Sequence, residues 1–171
     1  MSSDADSGPD TRDLKRVSYA DSAYEEVLES VMERYKRGDG VGIIFLGGER
    51  MQHQEALAEL ADRAVANVHQ FVVPSLVGER RMQTQSSLRK TFDSAAEDEV
   101  ILFFDHVDML FDWRHPDTLG GAEEPTSIEY FLQRVEAFRG IVVLGIDHAE
   151  HVDTVRRFDM QLLVEFPPPL E

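Results

Sequence analysis

The chain has 171 residues and carries 33 acidic against 17 basic side chains, so its net charge is −16. The length suits one domain, and an apolar fraction of 42% is enough for a core, which excludes a disordered or collagen-like chain. The sequence has no cysteine, which excludes disulfides, thiolate metal sites and cysteine nucleophiles. Any chemistry must therefore use oxygen or imidazole groups.

The composition also sets expectations about partners and location. DNA is not expected as a partner, because phosphate binding needs a basic face and the dense basic spots are only Arg80-Arg81 and Arg156-Arg157. No apolar run reaches about 18 residues, and the N-terminus is acidic where a signal peptide would be basic, so we expect a cytoplasmic protein without a membrane segment. Arginine supplies 14 of the 17 basic residues, which together with the acid excess favours a salty, halophile-like cytoplasm that screens self-repulsion.

Residues 1–18 are predicted to form an acidic, disordered tail, because they have too little apolar surface to offset the entropy of ordering. From residue 19 onward, apolar runs of strand length alternate with segments of helical periodicity. The predicted helices are Tyr19–Arg37, Gln52–Val68, Ser86–Ala96, Ser127–Phe138 and Glu150–Arg157. The predicted strands are Val41–Leu46, Phe71–Val73, Val100–Phe104, Ile141–Ile146 and Gln161–Phe166.

Five buried strands separated by helices predict an α/β fold with a parallel sheet and helices on both faces. In such sheets, ligands bind at the carboxyl ends of the strands, near the point where the strand order reverses. The expected site is therefore formed by the segments that follow the first, third and fourth strands, which are residues 47–54, 105–108 and 146–148.

Each of these segments carries a motif typical of nucleotide-binding proteins. A glycine turn at Gly47-Gly48 follows a buried strand and opens a helix, as a phosphate-binding loop does. Another apolar strand ends in Asp105, which suits a magnesium-binding aspartate. In residues 140–169, an apolar strand with Asp147 at its tip is followed by a helix that ends in Arg156-Arg157 and by a final strand.

In this order and spacing, the motifs resemble the core of the AAA+ ATPases over residues 19–169. The resemblance implies a three-layer, P-loop NTPase-like sheet of five strands in the order 5-1-4-3-2, with ATP and magnesium as ligands. It also implies assembly with further copies or with related AAA+ subunits, and a protein substrate or partner. The resemblance places Gly47, Gly48, Gln52, His53, Gln54 and Asp147 at nucleotide-binding positions. It places Asp105, also the magnesium ligand, with His106, Arg156 and Arg157 at catalytic positions.

Several of these positions hold residues that do not suit ATP chemistry. Gln52 stands for a loop glycine, His53 for the lysine that reaches the terminal phosphates, and Gln54 for the hydroxyl residue that binds magnesium. His106 stands for the glutamate that activates water, and Asp147 adds negative charge where the terminal phosphate would be sensed. We therefore expect ATP and magnesium to bind weakly or not at all.

The sequence thus predicts an AAA+-like core with a degenerate nucleotide site that acts as an assembly or regulatory subunit, and the alternative is an atypical but active ATPase. The arginine pair at residues 156–157 is open to two interpretations, as fingers that reach a neighbouring subunit's nucleotide or as plain cations at a helix C-terminus. His53, Asp105 and His106 could also form a metal site of two imidazoles and one carboxylate. The small helical lid of the family is expected to be absent, and Leu170-Glu171 resembles a tag remnant.

Overall fold

The computed structural model describes residues 14–78, 81–95, 99–112 and 127–167. The first 13 residues of the tail predicted over 1–18, and the predicted tag remnant at the C-terminus, lie outside these ranges. Within the described ranges, no helix combines the length and the apolar composition that crossing a bilayer requires.

Strands and helices alternate along the described residues, as the periodicity predicts. The strands are β1 (Lys15–Ser18), β2 (Val41–Leu46), β3 (Asn67–Val72), β4 (Val100–Asp105), β5 (Ile141–Ile146) and β6 (Leu162–Glu165). The helices are α1 (Tyr24–Lys36), α2 (Arg50–Ala64), α3 (Arg81–Ala95), α4 (Asp108–Asp112), α5 (Ser127–Ala137) and α6 (Val152–Val155). Short 3₁₀ helices lie at Val73–Leu76 and Ala149–His151.

The six strands form one all-parallel sheet in the order β1-β6-β2-β5-β4-β3. The predicted number of five strands is wrong, because β1 pairs with β6 and adds an edge strand. The predicted tail therefore cannot extend to residue 18. Counted from β2, the other five strands lie in the order 5-1-4-3-2, so the observed order differs from the predicted one by the added strand.

Helices cover both faces of the sheet, which confirms the predicted layered α/β architecture. Side chains of a strand point alternately to its two faces, so Ile43 and Phe45 of β2 pack on one side and Ile44 on the other. Helices α1 and α2 cover the Phe45 side, and α3, α4, α5 and α6 cover the Ile44 side. The central strands are buried on both faces, which explains their continuous apolar sequences.

Several predicted boundaries are wrong. Helix α2 ends at Ala64, four residues early, because Val65 takes a left-handed conformation with φ of 54°. Strand β3 then begins at Asn67 instead of Phe71. It is an edge strand with polar, exposed side chains, so it lacks the continuous apolar run that marks a buried strand. The helix predicted over 150–157 is instead a 3₁₀ turn followed by the four-residue α6.

The connections place a crevice between β2 and β5. Strand β2 leads through α2 to β3 at one edge of the sheet, whereas β5 leads through α6 to β6 on the other side of β2. Neighbouring strands whose connections depart in opposite directions leave a gap at their carboxyl ends, where ligands of α/β proteins bind. The turns after β2 and β5 border this gap.

Candidate functional site at the carboxyl edge of the sheet

A cavity of about 290 Å³ opens at the carboxyl edge of the sheet. Six residues that the sequence assigned to a site line it, and they are Gly48, His53, Gln54, Asp105, His106 and Asp147. Arg50, which also lines it, lies in the predicted segment 47–54 but was given no role there. The lining residues outside the predicted segments are Gln70, Phe71, Val72 and Phe103. Phe71, Val72 and Phe103 were predicted only as strand residues, and no motif distinguishes Gln70.

The glycine turn after β2 needs both of its glycines. Gly47 has φ of 72° and Gly48 has φ of 94°, a region that only glycine occupies without strain. The Gly47 N–H donates to the Ile146 carbonyl at 3.0 Å, which ties the turn to the end of β5. A Cβ atom at position 48 would lie 2.8 Å from the ring of Phe166. The turn is thus tightly packed against β5 and the end of β6.

His53 fills the interior of this turn. The residue is only 7% exposed, and its Nε2 lies 2.7 Å from the Gly47 carbonyl oxygen. Since a carbonyl can only accept, Nε2 carries the proton and donates it there. The ring packs against three phenylalanine rings, with centroid distances of 5.4 Å to Phe45, 5.7 Å to Phe103 and 5.0 Å to Phe166. The imidazole therefore closes the loop at the position where a phosphate-binding loop has a lysine.

Gln52 closes the turn from the other side. Its side-chain carbonyl accepts the Glu49 N–H at 2.8 Å, and its amide nitrogen lies 3.5 Å from the Pro167 carbonyl. Glu49 and Gln52 form a capping box at the start of α2, in which the side chain of each residue accepts the backbone N–H of the other. The carboxylate of Glu49 also places negative charge at the positive end of the helix dipole. These contacts occupy the helix terminus where a phosphate would bind.

Asp105, His106 and Asp147 form a connected group at the ends of β4 and β5. The Asp105 carboxylate accepts the His106 N–H at 2.9 Å and lies 3.7 Å from His106 Nε2. His106 Nδ1 lies 3.2 Å from the Asp147 carboxylate. A Cβ atom at Gly145 would lie 2.6 Å from Asp105 Oδ1, so the glycine on the neighbouring strand leaves room for this carboxylate. The resulting arrangement holds one imidazole between two carboxylates.

The environment of His106 favours the charged imidazolium. Burial lowers its pKa, but the hydrogen bond with Asp147 and the negative charges of nearby aspartates outweigh that effect. The pKa of His106 is consequently raised above its ordinary 6.5. The residue also has φ of 61°, an uncommon conformation outside glycine, which directs the ring across the strand ends. The group thus sets an imidazole, whose charged form is stabilised by the neighbouring aspartates, between two carboxylate side chains.

The described residues contain no group of three or more His, Asp and Glu side chains arranged to hold a metal ion. In particular, His53 directs its Nε2 to the Gly47 carbonyl. The hypothesis of a metal site formed by His53, Asp105 and His106 is therefore not supported by this arrangement.

Asp108 lies in the predicted segment 105–108, but the sequence indicated no role for it, and the structure shows it to be a structural residue of the site. It is 7% exposed, and its carboxylate accepts the Asp147 N–H at 2.6 Å and the His148 N–H at 3.0 Å. His151 Nδ1 lies 2.7 Å from the same carboxylate, and its ring stacks on Phe111 at 4.1 Å. These partners are about 40 residues away in sequence, so no local pattern predicts them. Asp108 thereby fixes the loop that positions Asp147.

Burial would raise the pKa of the Asp108 carboxyl, but the hydrogen bonds from Asp147, His151 and His148 outweigh it. The pKa of Asp108 therefore lies below its ordinary 3.8, and the carboxylate stays ionised.

The arginine pair lies apart from the cavity. Arg156 is the residue at which α6 ends, Arg157 follows it, and both side chains are exposed. Within the described parts of the chain, neither forms an ion pair. The structure therefore brings the predicted loop, Asp105, His106 and Asp147 together but leaves both arginines on a separate surface.

Comparison with models of known families finds no match, and comparison with curated proteins finds none either. The AAA+ resemblance accordingly stays a prediction from the order of the motifs.

Proposed function

We propose that this chain is an AAA+-like core that does not depend on ATP and serves as an assembly or regulatory subunit. The observation that carries the proposal is the closed loop, in which the His53 ring hydrogen-bonds to the Gly47 carbonyl. A phosphate-binding loop must instead present free N–H groups, a lysine and a hydroxyl. In this chain, the Gln52 and His53 side chains instead make hydrogen bonds with the backbone of the loop itself.

The charges around the loop support the same conclusion. Glu49 lies at the start of α2, and Asp105 and Asp147 line the adjoining cavity. Among the lining residues, Arg50 is the arginine and His106 is a histidine whose pKa is raised. Because a nucleoside triphosphate carries several negative charges, three carboxylates at this edge oppose its binding.

The first test is stability against urea with and without millimolar magnesium and ATP. We expect no change, whereas a ligand at 100 times its dissociation constant would add about 2.7 kcal/mol to the free energy of unfolding. A rise that disappears in Asp105→Asn would contradict the proposal. It would favour the atypical ATPase, for which the cavity beside Asp105 is the supporting observation, and phosphate release abolished in the same variant would establish that alternative.

The assembly role rests on the arginine pair at residues 156–157, which forms no ion pair with the residues that the structure describes. Exposed cations of this kind, in a chain with net charge −16, suit contact with the acidic surface of another copy or of a related subunit. We expect sedimentation velocity to show association that weakens as protein is diluted or salt is added. Arg156→Ala combined with Arg157→Ala should weaken it at least tenfold, whereas Arg89→Ala, an exposed arginine of α3, should not. A monomer at every concentration would contradict self-assembly.

A further inference from the structure

Strand β3 leaves one edge of the sheet open. Within the described part of the chain it pairs with β4 alone, and the register runs through the whole strand without a break. The Asn67 N–H donates to the Glu99 carbonyl at 3.3 Å. Because alternate residues of a parallel strand bond to the same neighbour, the N–H and C=O groups of Val68, Gln70 and Val72 point to the open edge. These groups can pair with a further strand.

The two edges of the sheet differ in their protection against such pairing. Proteins protect open edges with charged side chains, proline, bulges or very short strands. Edge strand β1 has four residues and carries Lys15 and Arg16, and Arg16 forms an ion pair with Glu165 at 2.7 Å. Strand β3 has six residues, none of which is acidic, lysine, arginine or proline, and it contains no bulge. In a chain of which 29% is charged, this open edge is suited to pairing.

Exposed apolar side chains flank the same edge. Among the described residues, the large hydrophobic side chains that are exposed are Met51, Val65, Val72 and Met82. Val72 ends β3 and is 49% exposed, and Val65, which lies just before the strand, is 78% exposed. The Val72 carbonyl accepts the Ser75 hydroxyl at 2.7 Å, and its second lone pair stays available to a partner. A strand added at this edge would cover apolar surface as well as backbone groups.

The sequence of β3 is complementary to itself when two copies run antiparallel. With Gln70 opposite Gln70 of the second copy, each Val68 lies opposite a Val72, so the three edge-facing residues all form hydrogen-bonded pairs. On the other face of the sheet, His69 then lies opposite Phe71. The pairs thus join β-branched side chains, amides and aromatic rings, and cross-strand pairs of these kinds stabilise sheets.

The charges near β3 also favour the antiparallel arrangement. Asp62 and Glu99 lie around a groove at the amino end of the strand. Arg50 lines the cavity at the carboxyl end, where Asp105 and Asp147 lie at the ends of the inner strands β4 and β5. Antiparallel pairing keeps the two acidic groups at opposite ends of the pair, and each adjoins the end of the other copy that carries Arg50. This complementarity matters in a chain with net charge −16.

We infer that the open edge of β3 pairs antiparallel with the same edge of a second copy of this chain, so that the two sheets form one continuous sheet across a two-fold axis. The arginine pair at residues 156–157 precedes β6, which lies on the other side of β2 from β3. The edge dimer therefore goes beyond the proposed function and uses a separate surface.

The first test is sedimentation velocity of the full chain in about 1 M sodium chloride, where a Debye length of about 3 Å screens exposed charges. Because the pairing rests on main-chain hydrogen bonds and apolar contacts, we expect a dimer that persists in this salt, whereas association through the arginine pair should disappear. Gln70→Pro removes an edge-facing N–H but no bond to β4, and it should weaken the dimer about tenfold or more. Gln70→Ala keeps the N–H and should weaken it less than about threefold.

A second pair of variants tests the edge with charge. Val72→Lys places a cation at the edge, a device by which proteins block strand pairing, and should give a monomer. Ala20→Lys adds the same charge at an exposed position after β1, at the opposite edge of the sheet, and should keep the dimer. Circular dichroism and urea unfolding verify that each variant is folded. If Gln70→Pro does not fold, Val72→Lys decides the test.

Single cysteines test the register, since the chain has no cysteine of its own. In the antiparallel pair the two copies of residue 70 lie opposite each other, with Cβ atoms about 5 Å apart. The two copies of residue 67 lie about 20 Å apart along the strands. Under mild oxidation, Gln70→Cys should therefore form a disulfide-linked dimer about tenfold faster or more than Asn67→Cys, an exposed position on the same strand.

Three results would overturn the inference: a parent chain that is monomeric in high salt at every protein concentration, a dimer that neither Gln70→Pro nor Val72→Lys weakens, or equal oxidation rates of the two cysteine variants. Each is distinct from failure of the proposed function. Loss of the edge dimer leaves the salt-sensitive association through the arginine pair in place. Stabilisation by magnesium and ATP would contradict the ATP-independent subunit and leave the edge dimer in place.

Discussion

Replacing Asp108 by alanine should lower the free energy of unfolding by about 3 kcal/mol. The side chain is buried and holds three donors, the N–H groups of Asp147 and His148 and the Nδ1 of His151. Removing the carboxylate leaves these donors without their acceptor in a region that water reaches poorly. Urea unfolding followed by circular dichroism measures the loss directly.

The effect should also depend on pH. Because the folded pKa of Asp108 is lowered, its ionisation adds stability above the unfolded value of 3.8, and this contribution disappears as the pH falls through the folded pKa. The stability difference between the parent chain and Asp108→Asn should therefore be constant from pH 7 to about pH 5 and shrink below about pH 4.

Asp153→Ala is the matched control for the loss of one negative charge. It lies on α6 near the same loop, is exposed, and makes no hydrogen bond within the described residues. We expect it to change stability by less than about 0.5 kcal/mol. If Asp108→Ala were as mild as this control, the carboxylate would not be what fixes the loop before α6.

The sheet was largely predictable because its central strands are buried on both faces. Val41–Leu46 and Ile141–Ile146 are continuous apolar runs, and their predicted bounds agree with β2 and β5. The edge strands were not predictable in the same way. β1 is four residues long with two exposed positions, and β3 carries polar side chains along its open edge, so neither has an apolar pattern.

The candidate site was predictable in position but not in chemistry. The motifs place Gly48, Asp105 and Asp147 at strand ends, and parallel pairing brings those ends together. The sequence does not reveal that His53 turns inward to the Gly47 carbonyl, because the orientation of its ring depends on the aromatic rings packed around it. The role of Asp108 likewise arises from contacts distant in the chain.

Placing the residues of a phosphate-binding loop in this turn should create nucleotide binding. The variant combines Gln52→Gly, His53→Lys and Gln54→Thr, which removes both closing side chains and supplies a cation and a hydroxyl. Without ligand it should be less stable than the parent by about 2 kcal/mol, because the His53 ring and its hydrogen bond are lost from a site lined by three phenylalanines.

Magnesium and ATP should then raise the stability of the restored variant, by about 1.4 kcal/mol at ten times the dissociation constant. The parent chain should not respond, and a control with Gln52→Gly, His53→Lys and Gln54→Ala, which lacks the hydroxyl, should respond less to magnesium. Adding Asp147→Asn to the restored variant should strengthen binding, since it removes a negative charge beside the phosphates. If the parent responded as strongly as the restored variant, the His53 ring would not be the barrier to nucleotide, and the proposal of an ATP-independent subunit would fail.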